Sequence, residues 1–118
     1  MTLKECYEMI GGNYDEVIGR LRSERLVQKF ALKFLDDGSF KLLQESLEKG
    51  NYEEAFRASH TMKGICQNLS FDRLLASCSA LTEELRSGKG PNADSLAAQV
   101  SADYEQTASA IRAFQASL

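Results

Sequence analysis

Proline occurs once in this chain, at Pro91, histidine once, at His60, and cysteine three times. With no proline elsewhere, nothing breaks a helical rhythm over the remaining stretches. Cys6, Cys66 and Cys78 are odd in number and widely spaced, and no Cys-x-x-Cys pair or Cys/His cluster offers the four ligands of structural zinc. They read as buried thiols acting as small hydrophobes in a reducing compartment. The formal net charge is -3 and there is no run of Lys or Arg, so the basic stripe that neutralises phosphates is missing and nucleic acid is excluded as a partner. There is no apolar run of the roughly 18 residues that a membrane span needs, and Met1 to Glu5 shows no apolar signal region. The expectation is a soluble cytoplasmic protein with no membrane partner. A Gly-rich nucleotide loop, a Walker-type lysine and kinase motifs are also lacking, so no enzyme with its own nucleotide site is expected.

What is present is helical. The 118 residues, 43% hydrophobic and 26% charged, suit one ordinary domain over 1–118 with a single core. A short segment from about Thr2 to Ile10 stops at Gly11-Gly12, and a second, Tyr14 to Leu21, carries Val17, Ile18 and Leu21 on one side. Ser23 is placed to cap a helix with Leu26, Val27, Phe30 and Phe34 on one face. Asp36-Asp37-Gly38 ends it, and Ser39 is positioned to cap the next, which buries Phe40, Leu43 and Leu47 and stops at Gly50. Asn51-x-x-Glu54 has the form of a capping box. It opens a helix with Tyr52, Ala55, Phe56, Ser59, Met62, Cys66 and Leu69 at steps of three and four.

After a turn at Ser70, Phe71, Leu74, Cys78, Leu81 and Leu85 step by three and four to Arg86-Ser87-Gly88. Gly88 to Asn92 is the clearest loop. The final helix, from about Ala93, stacks Leu96, Val100, Tyr104, Thr107, Ile111, Phe114 and Leu118. No segment alternates like a strand. The expected fold is all-α, an antiparallel four-helix bundle with short additional N-terminal helices.

On a wheel of the Tyr52–Leu69 segment, His60 points about 130° from the centre of the apolar stripe. The polar face reads Glu53, Arg57, His60, Gly64, Gln67, with Lys63 on its flank. Glycine in a helix interior costs about 0.8–1 kcal/mol relative to alanine. At i+4 from His60, its missing side chain leaves room beside the imidazole. Imidazole is largely neutral and nucleophilic near neutral pH. Lys63 can supply the cation that a phosphorylated ring requires, and Gln67 a further donor to phosphoryl oxygens.

The run Ala58-Ser59-His60-Thr61-Met62-Lys63-Gly64-Ile65-Cys66-Gln67-Asn68-Leu69 resembles the signature of histidine phosphotransfer (HPt) domains, approximately A-H-x-L-K-G-x-x-x-N-L-G. His60 matches the phospho-acceptor, Lys63 and Gly64 the lysine and glycine, and Asn68-Leu69 the closing pair. Met62 replaces the usual leucine, Ser59 the usual alanine, and Ser70 a frequent glycine at the helix end, where it could instead cap the following helix. The resemblance extends upstream over Phe30–Leu35 and Leu47–Tyr52, and downstream over Leu74, Leu81 and Leu85–Gly88.

The resemblance implies a monomeric phosphoryl carrier in a two-component phosphorelay. It would take the group from one receiver-domain aspartate and pass it to another. Response-regulator receiver domains are then the partners, with a hybrid histidine kinase as a candidate source. The chain has no cofactor of its own, and the receiver supplies Mg²⁺ and the acidic pocket. Docking is expected around His60, on Glu53, Arg57, Gly64 and Gln67 and part of the helix from Ser23.

Two other readings compete. A non-catalytic bundle that binds a receiver or partner helix accounts for the amphipathic helices but gives no reason for Gly64 beside the only histidine. A cysteine enzyme activated by His60 fails on geometry, because Cys66 lies on the far side of the same helix.

Overall fold

Local side-chain caps set most of the helix starts. The Thr2 hydroxyl accepts from the Glu5 amide at 3.0 Å while the Glu5 carboxylate accepts from the Thr2 amide at 2.9 Å, a reciprocal capping box that opens α1 (Leu3–Met9). Asn13 caps α2 (Tyr14–Leu21), Ser23 caps α3 (Glu24–Phe34) and Asn51 caps α5 (Tyr52–Leu69), each through its side-chain oxygen. The remaining helices are α4 (Ser39–Glu48), α6 (Asp72–Glu84) and α7 (Ala93–Ala116). The computed structural model describes residues 1–118 and contains no strand.

Two caps differ from the sequence expectation. Ser39 does not cap α4: the Asp37 carboxylate accepts from the Ser39 amide at 2.9 Å, and Ser39 is already the first helical residue. Aspartate two residues upstream reaches the same orphan donor as readily as a serine. At α5 only half a capping box forms. Asn51 accepts from the Glu54 amide at 3.1 Å, but the Glu54 carboxylate turns to Arg57 at 2.7 Å, an ion pair in place of a bond to an uncharged amide.

Helices α4, α5, α6 and α7 form the bundle, with α4 packed along α5, α5 along α6 and α6 along α7. Phe40 of α4 stacks on Tyr104 of α7 at 3.9 Å between ring centroids and closes the circuit. Ser59 pairs with Thr82 and Phe56 with Arg86. Contacts that ascend one helix therefore descend the next, and α5 and α6 are antiparallel. The 24 residues of α7 span about 36 Å at 1.5 Å per residue, which sets most of the 40 Å long axis. No helix is long and apolar enough to cross a membrane.

One hydrophobic cluster of 25 buried residues runs from Leu3 to Phe114 and takes in residues of every helix. The apolar stripes predicted for α5 and α6 are buried where expected, through Ala55, Met62, Cys66 and Leu69, and through Leu74, Cys78, Leu81 and Leu85. Two residues assigned to stripes lie outside. Leu26 is 40% exposed and Leu118 is 67% exposed beyond the end of α7, because each continues the rhythm past the point where another helix covers it. Ser59 lies wholly inside the bundle, sharing a 2.7 Å hydrogen bond with Thr82 and donating to the Cys78 carbonyl at 3.2 Å. A hydroxyl here is satisfied across the α5–α6 seam, so it adds direction to the packing without an orphaned polar atom.

The N-terminal helices fold over the end of α5. The Tyr7 hydroxyl donates to the Leu69 carbonyl at 2.8 Å, and the Asn13 amide to the Ser70 carbonyl at 2.9 Å. The approach requires glycine: a Cβ on Gly12 would lie 2.9 Å from the Ser70 oxygen and 2.8 Å from the Tyr7 ring. Ser70 adopts the left-handed conformation, φ 55° and ψ 41°, and ends α5. It does not cap α6, whose N-cap is Phe71 with no side-chain bond. Its hydroxyl is engaged by α2 instead.

Candidate functional site

The outward face of α5 exposes Glu53, Arg57, His60, Thr61, Gly64, Gln67 and Asn68, while Lys63 is half-buried. His60 is thus a surface residue, as the wheel predicts. The Phe56 ring lies beside it one turn earlier, with centroids 6.0 Å apart and planes 34° apart. The Arg86 guanidinium carbon sits 5.2 Å from the centroid of the same ring. Phe56, Arg57, His60, Thr61 and Arg86 together line a shallow depression of about 370 Å³.

Gly64 has a different environment from Gly12. A Cβ built on Gly64 meets nothing within 4 Å. Close packing therefore does not account for this glycine; the helix carries a poor helix former whose only local effect is open space one turn from the imidazole. Lys63 faces α6, where its charge helps hold the Glu83 carboxyl below the ordinary range, although the hydrogen bond from Arg86 is the larger cause. Arg57 is bound on both sides, Nη1 to Glu53 at 2.9 Å and Nη2 to Glu54 at 2.7 Å. Gln67, seven residues on, lies about 10.5 Å along the helix axis from His60 and is outside the depression.

Sequence reasoning missed three of the residues around His60. Phe56 and Thr61 are helical neighbours, and the i–4 spacing of Phe56 is a usable signal. Arg86 carries none, because only the antiparallel pairing of α5 and α6 brings it there. A second cleft, about 230 Å³ and lined by Phe30, Lys33, Phe34, Asp37, Ile65, Asn68 and Leu69, separates α3 from the C-terminal half of α5. Of the His60–Gly64–Asn68 row, whose members are four residues apart, only Asn68 lines it.

The cysteines are remote from this chemistry. All three are free and buried. Burial pushes the Cys6 thiol up to about 11, and the adjoining Cys78 thiol together with burial pushes Cys66 up as well. A reactive thiolate requires the opposite shift. No group of three or more His, Cys, Asp and Glu side chains is arranged to hold a metal ion.

The fold and the site define an all-helical bundle that presents its single histidine on an open helix face, between cationic side chains. The Hpt domain family model matches residues 34–110, a span that contains α4, α5, α6 and most of α7. The chain belongs to the Hpt domain family, whose members act as phosphocarrier modules of histidine phosphotransfer in phosphorelays rather than as kinases. Helices α1 and α2 and nearly all of α3 precede the matched span. Comparison with curated proteins gave no match, and comparison with solved structures gave none either.

Proposed function

We propose that this chain carries a phosphoryl group on His60, taking it from the aspartyl phosphate of one receiver domain and delivering it to the aspartate of another. The observation that carries the reading is the pairing of His60 with Gly64 inside the family-matched span. The only histidine is exposed, and the residue one turn beyond it offers no atom to obstruct an incoming aspartyl phosphate.

In the forward step a ring nitrogen lone pair forms the N–P bond as the P–O bond to the aspartate breaks. The aspartate leaves as a carboxylate, and the ring proton passes to water. Such transfer depends mainly on alignment and on neutralising the equatorial oxygens. Lys63 is assigned to those oxygens as a flexible point charge. Gln67, two turns away, is assigned to the partner surface rather than to the phosphoryl group. The Mg²⁺ expected in the reaction belongs to the receiver partner.

Docking is assigned to the exposed face of α5, through Glu53, Arg57, Gly64 and Gln67, and to α3 across the neighbouring cleft, through Phe30 and Lys33. An apolar strip flanked by charge suits a transient partner. The chain acts as one unit over 1–118, as a monomer in the cytoplasm, with a hybrid histidine kinase as a candidate first donor.

The test is incubation with a phosphorylated receiver and Mg²⁺ while following label onto this chain. An acid-labile, alkali-stable label that disappears in His60→Gln is the expected result. Failure to load from the cognate receiver would move the protein to the class of non-catalytic bundles that bind receivers.

A further inference from the structure

Arg86 and Phe56 are left unused by that function, although both line the depression that holds His60. The Arg86 guanidinium is held on two sides. Glu83 accepts from Nε at 3.1 Å and from Nη2 at 2.6 Å, and the Phe56 ring lies against its face. Stacking on an aromatic and a two-point carboxylate contact hold arginine in place without removing its charge. Nη1 makes no hydrogen bond within the chain, unlike the Nη1 and Nη2 of Arg57, which are both bound to carboxylates. Phe56 neighbours both His60 and Arg86. The depression that holds His60 is thus walled by a held cation with a free donor edge.

We propose that Arg86 is a phosphoryl-binding residue of this site, its Nη1 donating to an oxygen of the phosphoryl group on His60, with Phe56 as the positioning residue that sets the distance. The proposal rests on His60 being the phosphoryl acceptor. Lys63 and Arg86 then form two arms of one clamp. Glu83, whose carboxyl both cations hold low, restrains them while the histidine is bare. When the N–P bond forms, the new dianion takes the free Nη1 and competes with Glu83 for the lysine, and the partly neutralised pair becomes fully employed.

The experiment loads His60 in two ways. Phosphorylated receiver tests the carrier function. Phosphoramidate, whose P–N bond breaks to release ammonia as the imidazole N–P bond forms, loads an exposed histidine without any protein partner. On the phosphoramidate-loaded protein, the ³¹P resonance is titrated and the phosphohistidine half-life measured for wild type, Arg86→Ala and Arg86→Lys.

A nearby cation favours the dianion, so removing Arg86 should raise the phosphoryl titration midpoint by about one pH unit and shorten the half-life roughly tenfold, the effect of one charge-assisted hydrogen bond. Arg86→Lys should recover part of both. A midpoint and half-life in Arg86→Ala equal to wild type would overturn the proposal even if receiver loading succeeds. Failed receiver loading with an altered midpoint would instead leave Arg86 in place and overturn the carrier reading alone.

Discussion

The Arg20 guanidinium donates to the Ser70 hydroxyl at 2.8 Å, joining residues 50 apart in the chain. The same nitrogen reaches the Asn68 carbonyl at 2.8 Å, and the Ser70 hydroxyl in turn donates to Glu16 at 2.7 Å. The residue that ends the histidine-bearing helix is therefore bonded to both polar side chains of α2 that face it. A non-glycine residue in the left-handed region costs about 1–2 kcal/mol. At Ser70 two hydrogen bonds, one of them to each partner of an ion pair, offset that cost. In place of a glycine that would ease this turn, the N-terminal helices hold it.

That arrangement predicts a measurable loss in Ser70→Ala, which leaves the backbone geometry equally strained but removes the bonds. The urea midpoint should fall by an amount equivalent to about 1–3 kcal/mol. The difference should also depend on pH. The Glu16 carboxyl is held below its ordinary value, first by the hydrogen bond from Ser70 and then by Arg20. A depressed carboxyl contributes stability that is present above its unfolded value and is lost as pH falls through the folded one. The gap between wild type and Ser70→Ala should therefore be full near neutrality and narrow below the usual glutamate value of about 4.3. A gap that stays constant down to acid pH would remove Glu16 from the linkage.

Replacing His60 by glutamine should abolish phosphoryl acceptance and leave the fold untouched. The side chain is exposed and makes no hydrogen bond within the chain, and surface changes of this kind stay within about 0.5 kcal/mol. Thermal denaturation of both proteins checks the second half. A drop in Tm of several degrees would mean that His60 supports the bundle as well as facing solvent.

These outcomes follow partly from what the sequence makes legible. The outward placement of His60 and Gly64 could be read from the apolar stripe on α5, because a helix buried on one side must expose the other. The caps at Ser23 and Asn51 could be read because they act over three residues. What could not be read is set by contacts between helices. Leu26 and Leu118 keep the 3-4 rhythm yet are exposed, since periodicity does not say how far the neighbouring helix extends. Ser70 reads as a cap for α6 until its partner on α2 is seen. Arg86 reads as a charge at a helix end, and only the antiparallel seam carries it to Phe56.

The three thiols should be unreactive in the native protein. Each is buried, and burial raises the Cys6 thiol to about 11. At pH 8 a thiol-specific chromogenic reagent should register almost no cysteine in buffer and all three in denaturant. The raised Cys6 value also fixes a sign: its contribution to stability is complete below the unfolded thiol value of about 8.5 and is lost as pH rises toward 11. Rapid labelling of one cysteine at neutral pH would point to local opening of α1 or of the α5–α6 seam and would revive thiol chemistry for the site.

Gly64 offers the sharpest separation of stability from function. Because a Cβ there meets no atom within 4 Å, Gly64→Ala introduces no clash and should stabilise the helix by about 0.8–1 kcal/mol, the difference in intrinsic propensity. Gly64→Leu should be at least as stable as wild type, because leucine is also a good helix former and its side chain can extend into solvent. Transfer should follow the opposite order. A methyl group narrows the approach to the imidazole, and an isobutyl group at i+4 covers it, so transfer should weaken in Gly64→Ala and fall by orders of magnitude in Gly64→Leu. Paired measurements of the urea midpoint and the transfer rate would show the two properties moving apart. Were both variants to transfer as fast as wild type, the open space would have no part in access to His60. Were both to lose stability as well as transfer, some contact of Gly64 in the folded chain would have to account for the loss, and the geometry provides none.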